Sequence, residues 1–177
     1  MNDNDIINLV LDLEGPPHND PRDAGGETRW GMTGPQWNAI RQVIPLGVDF
    51  DKAEREDIAH ADLLYYFGHV GLSRLTQTSV RLAAFDSAYL HGIDVLRRIT
   101  GEPPAVISST EDSYIPAIDV LNTLGPRSAL NWIVKYRLER YTSYLEGNIF
   151  HPFAWGWLGR LHTITERCLK ELPPIQA

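Results

Sequence analysis

The stretch LVLDLEGPPHNDPRDAGGETRWGMT, Leu9 to Thr33, opens with helical periodicity and stops at Gly15-Pro16-Pro17. Ile6, Leu9, Val10 and Leu13 recur at i, i+3, i+4 and i+7, so residues 3–14 read as an amphipathic helix capped by Asn2 or Asp3. Its last residue is an acid, Glu14. A carboxylate there meets the negative end of the helix dipole and a ring of unpaired carbonyls, a placement that costs helix stability. The same placement, with partial burial, favours the protonated form that a general acid must hold at neutral pH.

The loop that follows adds to this. Asp23 comes nine residues after Glu14 and Thr28 five after Asp23, with Gly25-Gly26 between them. Glycine accepts positive φ at little cost, so the chain can fold back and present Asp23 and Thr28 across a gap from Glu14. A carboxylic acid opposite a carboxylate, with a hydroxyl to hold water, is an arrangement that breaks glycosidic bonds. Spacing alone leaves a second reading open, in which Asp20 and Asp23 only cap backbone amides in Asx turns. The ligand rhythm of an EF-hand calcium loop is missing.

Downstream, Thr33-Gly34-Pro35-Gln36 reads as a helix start, with a hydroxyl cap, a proline in the first turn and Gln at the capping-box position. That helix carries Trp37, Ile40, Val43 and Ile44 up to Pro45. Further helices are expected over about 51–66, 78–100, 115–124, 127–145 and 153–172, and a short β-hairpin around 27–32. The expected class is mainly α: a single helical domain with a glycine-rich loop or hairpin after the first helix. The weakest break, near 71–76, divides it into regions 1–75 and 76–177 packed together.

Composition excludes several alternatives. The 177 residues are 43% hydrophobic and 22% charged, as in ordinary globular proteins. A net charge of −7 leaves no basic stripe to neutralise nucleic-acid phosphates or to hold an anionic membrane. No apolar run is long enough to span a bilayer, and MNDNDIINLV lacks the basic and apolar regions of a secretory signal. The single cysteine, Cys168, cannot form an internal disulfide and reads as a half-buried helix residue. The six histidines show no zinc-binding spacing, and no phosphate loop, dinucleotide fingerprint or serine elbow occurs, so neither metal nor cofactor is expected.

The segment LEGPPHNDPRDAGGETRWGMT resembles the signature of the glycoside hydrolase family 108 muramidases of phage endolysins and related bacterial proteins. The matching residues are Glu14, Gly15, Asn19, Asp20, Pro21, Asp23, Gly25, Gly26, Thr28, Trp30, Gly31, Met32 and Thr33. The order Glu, Asp, Thr also resembles the catalytic order of phage-type lysozymes. AAFDSAYLHG (83–92) and RLERYTSYLEGNIFHPFAWGWLGRL (137–161) are similar to a predicted peptidoglycan-binding segment of that family. Pro16-Pro17 depart from the usual Gly and aromatic residue, Leu90 stands where Asn is usual, and 107–118 lacks the family's Asp-Gly…Gly-Pro turn.

The resemblance implies a lysozyme-like fold that cuts the β-1,4 bond between N-acetylmuramic acid and N-acetylglucosamine. Glu14 would be the general acid, with Asp23 and Thr28 as its polar partners. Trp30, whose ring suits sugar C–H faces and suits a core equally, joins Asp20, Asp86 and His91 as substrate-side candidates. Asp86 could act behind the catalytic loop or be solvated. His91 could line a cleft or be structural. The expected partner is the glycan strand of peptidoglycan, met by a monomer. The enzyme would sit in the host cytoplasm until a holin-type pore made by another protein releases it to the cell wall. The alternatives are a peptidoglycan-docking module of a virion or secretion apparatus and a lytic transglycosylase.

Overall fold

The structure is a computed structural model that describes residues 1–19, 26–101, 114–145 and 154–174. Its architecture is mainly α with a two-stranded hairpin after the first helix, as the periodicity leads one to expect. The chain divides into two compact units, one carried by Met1–Ser73 and the other beginning at Arg74.

In the first unit, α1 (Asp3–Glu14) starts on a reciprocal capping box: Asp5 N–H donates to the Asn2 side chain at 2.9 Å, and Asn2 N–H to Asp5 at 2.8 Å. Its buried stripe is Ile6, Ile7, Val10 and Leu11, rotated slightly from the expected one, so Leu9 and Leu13 are half-buried. Strands β1 (Thr28–Arg29) and β2 (Met32–Thr33) pair antiparallel with Thr28 opposite Thr33. Thr33 then caps α2 (Gly34–Arg41) in the capping box foreseen with Gln36. Trp37 on α2 is buried and packs at an angle on Phe50. α3 (Arg55–Asp62) is tied to α1 by Arg55, which donates to Asn8 Oδ1 and Asp12 Oδ1, both at 2.6 Å. The expected helix over 51–66 is not uniform. A 3₁₀ turn, Phe50–Lys52, precedes α3, and a π-helical segment, Leu63–His69, continues it.

The second unit comprises α4 (Thr78–His91), α5 (Val95–Thr100), α6 (Ile115–Leu124), α7 (Pro126–Leu145) and α8 (Ala154–Lys170). The sequence reading runs one helix from 78 to 100; the chain instead breaks at Gly92, whose φ of +80° no helix accommodates. α4 is buried nearly all round, from Ser79 to Tyr89, and forms the centre of this unit. Within it lies Asp86, fully buried. One oxygen pairs with Arg137 of α7, itself fully buried, and the other with Arg160 of α8 at 2.7 Å. Arg137 also donates to the Tyr141 hydroxyl at 2.7 Å, and Tyr141 stacks on Trp157. Three helices are thus joined through one carboxylate. Cys168 of α8 is buried beside the Ser79 carbonyl, and burial pushes its thiol pKa up to about 12. Among the described residues, no helix is long and apolar enough to cross a membrane.

A buried ion pair that loses one partner leaves an uncompensated charge in the core. Asp86→Ala strands the Arg137 guanidinium and is expected to lower the unfolding free energy by about 3–5 kcal/mol, read from the urea midpoint by far-UV circular dichroism. Exposed Asp119→Ala is the control and should shift the midpoint by little.

Candidate active site

Glu14 ends α1, where Gly15 takes φ +79° and turns the chain out of the helix. Four residues later the chain is pinned again. His18 and Thr28 exchange both backbone hydrogen bonds at 2.8 Å, so the loop leaving Glu14 returns at its neck to the first hairpin strand. The return of Thr28, which the glycines suggested, is therefore built from a backbone bridge. Asp20 and Asp23 fall in the part of the loop outside the described residues.

The hairpin turn is Trp30-Gly31, and both residues have positive φ, +47° and +86°. Two-residue hairpins favour this mirror-image turn because its twist matches the strands, but it is costly for a residue that bears a side chain. Trp30 is the one non-glycine residue with positive φ among those described, and it is half-buried. Gly31 explains why the turn sits here. A Cβ on it would lie 2.4 Å from Glu14 Cδ and 2.7 Å from Glu14 Oε2. The Glu14 carboxyl therefore rests on bare glycine backbone. Arg29 fixes the hairpin from the other side by donating to the Ala53 carbonyl at 2.8 Å.

The same carboxyl has a neighbour that the sequence reading passed over. Asp62, the last residue of α3, is completely buried, and neither oxygen has a hydrogen-bond partner among the described residues. Its pKa is raised well above the usual carboxylate range, first by burial and then by the negative charge of Glu14. Tyr66, one turn on, is also buried, and its phenol is pushed up by burial and then by Asp62 and Tyr65. Tyr65 and Tyr66 meet edge to face at 5.0 Å, and His69 stacks on Tyr65. A signal for Asp62 existed in the register. Ile58, Asp62 and Tyr66 stand at i, i+4 and i+8, so this acid occupies the apolar stripe of its helix. The nearby Glu54, Glu56 and Asp57 hid it by making the segment look like a solvated acidic face.

Asp86 and His91 lie in the second unit. Asp86 is the doubly paired core carboxylate described above. His91, at the end of α4, meets the Tyr141 ring edge to face. Burial, and then Arg137 and Arg140, push its pKa down to about 4, so it is neutral at pH 7. Among the described residues, no group of three or more His, Cys, Asp or Glu is placed to hold a metal ion.

Comparison with known proteins adds two findings. Residues 7–92 match the model of the glycosyl hydrolase 108 family, a span that includes Glu14, the hairpin, Asp62 and α4 and ends before α5. The motif at 137–161 lies beyond the matched residues. The solved structure of Brucella abortus SagA is similar at a TM-score of 0.71 and 19% identity, covering 98% of this chain and 97% of that one. At that identity the likeness establishes a common fold. No curated protein matches the chain.

Gly31→Ala tests the seat of Glu14. The new methyl meets the carboxyl in a backbone conformation alanine disfavours, and a loss of about 1–3 kcal/mol is expected in urea denaturation. Gly26→Ala is the control: its φ is +73°, yet nothing lies within 4 Å, so it carries only the backbone cost. Equal losses in the two variants would mean that the Glu14 contact contributes nothing.

Proposed function

We propose that this chain, whose residues 7–92 match the glycosyl hydrolase 108 family, is a muramidase that cleaves the β-1,4 bond between N-acetylmuramic acid and N-acetylglucosamine in peptidoglycan. The observation that carries the reading is the Glu14 carboxyl, half-buried at the end of α1 and seated on Gly31. In this mechanism Glu14 protonates the glycosidic oxygen as the bond to the anomeric carbon breaks. The leaving sugar departs as an alcohol, and positive charge develops on the ring left behind. Asp23 supports that charge and, with the Thr28 hydroxyl, orients the attacking water. Trp30, held at the hairpin turn, offers its ring to a sugar face, and Asp20 offers a polar contact from the same loop.

The resemblance to phage-type lysozymes favours inversion, in which the two carboxyls stand roughly 6.5–9.5 Å apart to admit water. The biological setting that fits is lysis of a host cell from within by a phage endolysin that reaches the wall through a pore made by another protein.

The test is hydrolysis of purified sacculi, followed by turbidity and by mass of the released muropeptides. Glu14→Gln keeps the shape and removes the proton donor, and kcat is expected to fall by about 10²–10⁴-fold with KM little changed. Full activity in Glu14→Gln would remove the mechanism. An inactive native chain that still sediments with sacculi would make it a docking module. Anhydro-muramic products, one water lighter, would make it a lytic transglycosylase. Proton NMR of the first-formed anomer checks stereochemistry: an α-anomer supports inversion and a β-anomer counts against it.

A further inference from the structure

A carboxyl group buried without any hydrogen-bond partner is expensive, and native proteins rarely keep one without a use for it. Asp62 is such a group. It sits where α3 passes into π-helical turns, an irregularity that proteins often place at functional sites. α3 packs on α1, and Arg55 ties its first turn to Asn8 and Asp12. Asp62 and Glu14 close the C-terminal ends of these two packed helices.

We propose that Asp62 is a positioning residue for Glu14: a buried carboxyl at the end of the helix packed on α1, whose O–H donates to the carboxylate that Glu14 becomes on giving up its proton. The proposal rests on reading Glu14 as the general acid. The proton that leaves goes from Glu14 to the glycosidic oxygen; Asp62 keeps its own and supplies only a hydrogen bond. Donors fixed in advance where negative charge develops lower the barrier, and a hydrogen bond to an ionised acceptor is among the strong ones. A carboxylic acid held neutral in an apolar site is suited to that work.

The surroundings of Asp62 favour its neutral form. On α1, Asp12 is occupied by Arg55, and Glu14 raises the Asp62 pKa further whenever it is ionised. On α3, Arg55 is engaged with Asn8 and Asp12, Asp57 accepts from the Glu54 N–H, and Glu56 and His60 are exposed. On the π-helical segment, Tyr65 and buried Tyr66 follow, and His69 stacks on Tyr65. No basic side chain among the described residues hydrogen-bonds either Asp62 oxygen.

The sign of the linked stability follows. Folding raises the Asp62 pKa from about 3.8, so its neutral form is favoured in the fold. That contribution is complete below the unfolded value and is lost as pH rises from there toward the folded value. Asp62→Asn has nothing to ionise. Its thermal midpoint should equal that of the native chain near pH 4 and exceed it increasingly toward pH 8. A difference that stays flat with pH would mean that Asp62 ionises normally, and the proposal falls.

Two further readouts separate positioning from mere packing. The infrared difference between the native chain and Asp62→Asn at pH 7 should contain a protonated-carboxyl C=O stretch. That band should titrate away at lower pH in Glu14→Gln, where the neighbouring charge is gone. In sacculus hydrolysis, Asp62→Leu should lose roughly 10²-fold in kcat at unchanged KM, and its alkaline limb should move to higher pH because the Glu14 carboxylate has lost its donor. Asp62→Asn, which retains an N–H donor, should recover most of kcat. A fall in kcat with no movement of the limb, or no fall in Asp62→Leu, overturns the proposal. Activity in Glu14→Gln would instead remove the acid reading, and the infrared band would still report the state of Asp62.

Discussion

The first unit depends on the contact between the Glu14 side chain and the backbone of Gly31. Nothing larger than hydrogen fits between them. To make the contact, α1 must end at Glu14, and the hairpin must turn at Trp30-Gly31 with both residues in the left-handed region. Arg29 must then hold the hairpin on the Ala53 carbonyl. In the proposed mechanism, close approach of this kind replaces a mobile carboxylate in water by one whose orientation is set before the glycan arrives. Preorganisation is the physical content of that arrangement, because the cost of orienting the group is met in folding.

Much of this was legible in the residues, for local reasons. The end of α1 is written in Gly-Pro-Pro, the start of α2 in Thr33 and Gln36, and the hairpin in a short run after two glycines. Each is a signal carried by neighbours in the chain. The breaks that escaped depend on backbone conformation that sequence marks weakly. Gly92 ends α4 because it adopts positive φ there, while glycines inside helices are also tolerated. The π-helical turns after Asp62 have no sequence signature at all. Asp62 itself escaped because its meaning lies in burial, which sequence shows only through register. Asp86 teaches the same: a Phe-Asp pair inside an apolar helix can be read as a site or as core, and only the arrival of Arg137 and Arg160 from distant helices decides that it is core.

The two units thus hold buried carboxyls in opposite ways. Asp86 is surrounded by cations and carries its charge into the core, where the pairs offset the desolvation it suffers. Asp62 has an acid for a neighbour and, among the described residues, no cation bonded to it, so desolvation and repulsion act in the same direction. The first arrangement ties α4, α7 and α8 together. The second opposes cohesion as pH rises above the unfolded carboxylate value.

Cys168 bears on how the molecule can be handled. Its sulfur is buried and its thiolate strongly disfavoured, so it is a poor nucleophile toward maleimides and disulfide reagents. A cysteine engineered onto any exposed position would therefore take up a fluorophore or spin label without competition from the native thiol. Distance and motion could be followed in the otherwise unaltered chain.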